Sequence, residues 1–136
     1  MSNKIDRILA EISAGELFDK ITILEIKKTK ISNKEKLIDI NRELSSLNET
    51  VKKFIPDQGG ISKYINDLKN INLKLWDIED GKRAAEKNKN FDEKFIELAR
   101  NVYKFNDERA KIKLAINTSL GSNIKEVKSY LSLIHI

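Results

Sequence analysis

The sequence predicts an all-α protein: two antiparallel helical hairpins forming a bundle, with irregular N- and C-terminal arms. Three observations carry that prediction. Apolar residues recur at spacings of three and four over long stretches, and no central segment alternates with the period of a strand. Helix-start residues stand ahead of three of the four stretches. The single proline, Pro56, and the pair Gly59-Gly60 fall together in "FIPDQGG", which divides the chain in two. At 136 residues the chain fits one compact domain, 1–136, with one hairpin over 13–55, a second over 61–120 and a tail over 121–136.

The first helix opens at "SAGE", where Ser13 and Glu16 have the spacing of a capping box. Leu17, Ile21, Leu24 and Ile31 mark its apolar face, with Phe18 beside it. "SNKE" repeats the device, so Ser32 and Glu35 are expected to open the second helix. Its seam of Leu37, Ile40, Leu44, Leu47, Val51 and Phe54 steps by 3, 4, 3, 4, 3. In the third helix Ile61, Ile65, Leu68, Leu75 and Ile78 form a stripe that Asn72 interrupts. "NKNFDE" supplies the next break, with Asn90 expected as the cap of the fourth helix. That helix carries Phe91, Phe95, Leu98, Val102, Phe105, Arg109, Ile112 and Ile116 in alternating steps of four and three. Gly121 is expected to stop it in the left-handed conformation, giving about 28 residues and roughly 42 Å. Residues 4–12 suit a short helix or an extended arm, and "YLSLIHI" suits a strand or a helical extension.

Composition excludes several functions. There is no cysteine, hence no disulfide framework or thiolate zinc site, and the lone histidine is His135 near the end. No apolar run approaches a membrane span, and acids and bases occupy the place of a signal peptide, so the expected location is cytoplasmic. The net charge of +5 invites a nucleic-acid reading. Against it, bases and acids are interspersed and no basic stripe is interleaved with exposed aromatics, so no specific nucleic acid is expected.

Polar residues on apolar seams are the candidates for function. Arg109 occupies a core position, where an unpaired charge costs several kcal/mol. Folding the second hairpin at residues 88–90 brings position 109 level with Asn72, so the two are expected in one polar cluster bordered by Asn106 and Lys113. An arginine fork suits a carboxylate or phosphate, hence a small anionic ligand. A wet, snorkelling guanidinium or a device that fixes helix register explains the same pattern. In "LWDIEDGKRAAE", Trp76, Asp80 and Arg83 share one helix face, and Glu79 is placed to pair with Arg83. Gly81 permits close approach by another helix or a ligand. The pairs Glu16/Asp19 and Asp77/Asp80 stand at i, i+3 and offer an alternative Mg²⁺ set.

The segments "SAGELFDKITILEIKKTKI", "LWDIEDGKRAAE", "FDEKFIELARNVYKFNDERAKIKLAIN" and "LGSNIKEVKSY" together resemble a small all-α family of unknown function from bacteria and bacteriophages. The resemblance runs from about residue 12 to 130. It implies a compact helical protein, sometimes encoded near carbohydrate-modifying or glycosyltransferase genes, with no assigned catalytic residue. Carried over with it are Gly15, Glu16, Asp19, Lys20, Trp76, Asp77, Glu79, Asp80, Arg83, Glu86, Asn106, Asp107, Arg109 and Lys113. The final "LSLIHI" departs from the aromatic ending of that pattern.

The resulting expectation is a helical binding or accessory protein without a cofactor. Its candidate ligand-binding residues are Glu16, Asp19, Lys20, Asn72, Trp76, Asp80, Arg83, Asn106, Arg109 and Lys113. The alternative is a Mg²⁺-dependent enzyme similar to the all-α nucleotide pyrophosphohydrolases, using Glu16, Asp19, Asp77 and Asp80. The wide apolar stripes exceed what one small bundle buries, so a homodimer is expected, with a protein partner as a further option.

Overall fold

The computed structural model describes residues 4–124 and 127 and is built of four helices. Helix α1 spans Ala14–Lys30; the Ser13 hydroxyl accepts from the Glu16 N–H at 3.1 Å, half of the expected capping box. The other half is replaced, because the Glu16 carboxylate turns to Lys113. Helix α2, Lys34–Phe54, is capped by Asn33, whose side chain accepts from the Lys36 N–H. The expected cap, Ser32, lies one residue outside. Asn is at least as good an Ncap as Ser, and Asn33 still leaves Glu35 in the first turn against the positive helix end. Helix α2 ends two residues before Pro56, and a single 3₁₀ turn, Gly59–Ile61, leads into α3, Ser62–Lys87.

Helix α3 closes with Lys89 in the left-handed region at φ 55° and the Asn90 N–H bonded to the Ala85 carbonyl at 2.9 Å. This commits Asn90 to the end of α3, so it does not cap the next helix as expected. Asp92 does, accepting from the N–H groups of Lys94 and Phe95. Helix α4 then runs Glu93–Leu120 for 28 residues and stops at left-handed Gly121, as the sequence indicates.

The packing is that of a bundle in which α1 lies against all three other helices. Its Leu17, Phe18, Ile21 and Leu24 join Ile40, Leu44 and Val51 of α2, with Ile61, Leu68 and Ile116, in one core. Each such side chain, when fully buried, contributes roughly 1.5–3 kcal/mol. A second line of buried residues on α1, Gly15, Asp19, Thr22 and Ile26, follows i, i+4, i+7, i+11. A Cβ on Gly15 would stand 2.5 Å from the Lys113 carbonyl oxygen, so only glycine lets α1 approach α4 here. From that crossing α1 runs antiparallel to α4, with Gly15 at Lys113 and Asn117, and Asp19 at Arg109. The α3–α4 hairpin is longer than α1, and no residue from Glu79 to Asn106 is buried.

Residues 4–12 form no regular structure, and Ile5, Ile8 and Leu9 are at least 80% exposed. The expectations for "YLSLIHI" lie outside the described residues. No helix among the described residues is long and apolar enough to cross a membrane.

Candidate functional site

Three helices each contribute polar side chains to one layer of the bundle, and Asp19 is its centre. Asp19 sits on the inner line of α1 and is 1% exposed. Arg109 of α4 donates to it twice, from Nε to Oδ1 at 2.9 Å and from its terminal nitrogen to Oδ2. The Asn72 amide of α3 donates to the same Oδ1 at 2.9 Å and to the Thr22 hydroxyl at 3.0 Å. Thr22 in turn donates to the Asp19 carbonyl, so the amide and hydroxyl are both oriented. Lys113, one turn beyond Arg109, donates to Glu16 at 2.8 Å and stands 3.7 Å from the Asp19 carboxylate. No buried side-chain nitrogen or oxygen among the described residues lacks a partner.

Electrostatics follow from this geometry. Burial by itself raises the Asp19 pKa. The hydrogen bonds from Arg109 and Asn72, with the charges of Arg109 and Lys113, outweigh it and hold the carboxyl below its ordinary value. Two carboxylates face two cations, so the layer is close to neutral. The carboxylate that an arginine fork is suited to grip is here supplied by the chain itself.

On the side of this layer toward the α3–α4 turn, the helices diverge around an open cleft of about 270 Å³. Ile23 and Ile26 of α1, Leu75 and Trp76 of α3 and Val102 of α4 give it apolar walls. Asn72, Glu79, Asn106 and Arg109 bring polar groups to it. Arg109 thus spans both features: its guanidinium closes the buried layer, contacts the Asn106 amide oxygen at 3.5 Å and is 29% exposed. One aromatic ring flanked by amides, a carboxylate and a guanidinium can hold a small ligand with an apolar face and several hydroxyl or amide groups.

Of the sequence candidates, Asn72, Trp76, Asn106 and Arg109 meet at the cleft, while Glu16, Asp19 and Lys113 lie in the adjoining layer. Lys20 is exposed and, among the described residues, reaches only the Glu16 carboxylate, at 4.0 Å. Asp80 and Arg83 are exposed and do not line the cleft; Arg83 instead holds Glu79 at its rim through a 2.9 Å hydrogen bond. Gly81 does mark a close approach, its missing Cβ leaving room for Leu98 of α4. The alternative acid set is not gathered: Glu16 and Asp19 are matched to cations within the bundle, and Asp77 and Asp80 are exposed on α3. Among the described residues no three carboxylates or other metal-ligating side chains converge. Thr22, Ile23 and Ile26 were not among the candidates. Their signal is the inner line of α1, where Asp19 and Thr22 share a face with Gly15 and Ile26.

The chain belongs to a family described as a family of unknown function (DUF6165), whose profile matches residues 8–136. No curated protein and no solved structure matches it.

Proposed function

We propose that this member of the family is a binding or accessory protein that holds a small polar ligand in the Trp76 cleft. The observation that supports it is the meeting of the only tryptophan with Asn72, Asn106, Glu79 and Arg109 around one open cavity. Because Asp19 already neutralises Arg109, the cleft does not demand a strongly charged ligand. A carbohydrate suits these groups: C–H faces stack on an indole, and hydroxyls pair with amides and a carboxylate. That choice also agrees with the glycosyltransferase-linked genes implied by the quoted motifs, and bacteria or their viruses are the proposed source. The proposed compartment is the cytoplasm, which suits a chain without cysteine.

Trp76 fluorescence tests the reading directly. A panel of free sugars and sugar nucleotides is titrated into wild type, Asn106→Ala and Glu79→Gln. A saturable change in wild type, weakened roughly tenfold or more in both variants, is the expected result, since each substitution unpairs a ligand hydroxyl. A panel without response, or binding indifferent to both substitutions, rules the cleft out. Stabilisation by a nucleotide only together with Mg²⁺ would instead favour a metal-dependent enzyme.

A further inference from the structure

We propose that Asp19 is a charge filter for the Trp76 cleft: by filling the anion seat of Arg109 from inside the bundle, it restricts the cleft to uncharged ligands and turns away phosphate esters and carboxylates. This rests on the cleft being the binding site, and it narrows the ligand to an uncharged sugar rather than a sugar phosphate or sugar nucleotide.

An arginine that serves a phosphate turns a bidentate edge of its guanidinium toward the ligand. Here the edge formed by Nε and one terminal nitrogen is given to the two carboxylate oxygens of Asp19. Helix α1 makes this possible. Its crossing at Gly15 brings it against α4, and one turn later Asp19 reaches Arg109. Asp19 is buried, and its Oδ1 also accepts from Asn72, so it cannot swing aside for a competing anion without unpairing that amide. Lys113 does not restore the attraction, because its ammonium donates to Glu16 and stands beside Asp19. Among the described residues, two cations and two carboxylates leave the layer close to neutral.

The cleft side completes the filter. Among the described residues that line it, only Arg109 and Glu79 are charged. An anion entering there sheds water, meets a guanidinium whose charge is already matched, and faces the Glu79 carboxylate. The Arg83 side chain that holds Glu79 is 78% exposed, and so exposed a pair contributes little. An uncharged sugar escapes these penalties, since its hydroxyls accept from the guanidinium and donate to Glu79. Removing the Asp19 charge leaves one positive charge in excess beside the cleft, worth on the order of a hundredfold in anion affinity.

Inorganic phosphate, titrated at constant ionic strength against chloride and followed by Trp76 fluorescence, tests the filter. Wild type is expected to show no saturable change up to about 50 mM, whereas Asp19→Asn is expected to bind with a Kd of about 1 mM or below. Asp19→Asn combined with Arg109→Met removes the seat as well as its occupant and is expected to lose that response. This double variant also corrects for the general stabilising effect of phosphate. A saturable response in wild type, a silent Asp19→Asn, or a double variant that still responds overturns the proposal. Should Asp19→Asn lose its helical circular dichroism in chloride, refolding in about 50 mM phosphate becomes the readout: recovery supports the filter, and no recovery overturns it. A sugar that wild type binds equally well with and without a phosphate overturns the filter but keeps the cleft as a site. A silent sugar panel, beside phosphate binding by Asp19→Asn alone, upholds the filter and overturns the sugar reading instead.

Discussion

Arg109 and Asn72 stand out in the sequence because each breaks an apolar seam, and a break needs a partner. The partner was harder to see. Asp19 follows Glu16 near a helix start, where acids are common for reasons of the helix dipole alone, so its pattern equally suits a surface or a metal pair. Only the crossing of α1 over the second hairpin makes it the internal counter-ion. Asp19→Asn keeps the shape and removes the charge, leaving Arg109 and Lys113 poorly matched. The expected cost is about 2–4 kcal/mol in urea unfolding at neutral pH, discounted for the partial exposure of Arg109. Because the folded-state pKa of Asp19 lies below its unfolded value, the unfolded chain binds the proton first as pH falls. Its contribution is complete above the unfolded value near 3.8 and is lost as pH drops through the lower folded value. Unfolding measured from pH 5 to 2 should show this acid limb in wild type and a shallower one in Asp19→Asn. Equal limbs in the two proteins would show that the ion pair is not its source.

The lengths and kinds of the helices follow from apolar periodicity, and the stop at Gly121 follows from its chemistry. Two starts do not, because caps compete locally: Ser32 loses to its neighbour Asn33, and Asn90 is taken up in closing α3 before Asp92 opens α4. Lys89 holds the left-handed position of that closure, a place that glycine fills with less strain. Lys89→Gly should leave the fold unchanged and shift stability by less than about 1 kcal/mol, the relief of strain opposing the entropy of the freer chain. Gly15→Ala goes the other way. Its methyl meets a backbone carbonyl of α4 rather than a movable side chain, so α1 must retreat and the hydrogen bond from the Gly15 N–H to Asn117 must lengthen. A loss of about 2–3 kcal/mol is expected, read as a fall in Tm with α-helical content preserved below the transition. The glycine itself was legible as part of a helix start, but its fit against α4 is a tertiary fact that no local pattern encodes.

Over the whole molecule, the bundle could be read from the sequence, but the central place of α1 could not. Asp19 and Thr22 are hydrophilic and carry no local sign of burial, yet their side of α1 is covered by α3 and α4 and matched there by Asn72 and Arg109. The cleft escaped for a related reason, since Ile23 and Ile26 border it only through the α1 crossing. The crossing of α1 also ties together two segments far apart in the sequence, since Gly15 bonds to Asn117, 102 positions later. On the ribosome, where synthesis proceeds at about 5–20 residues per second, α1 therefore emerges seconds before Arg109 exists to neutralise it. The nascent polypeptide must carry that segment unshielded until α4 has been synthesised, which makes this interval the natural target for chaperones and proteases.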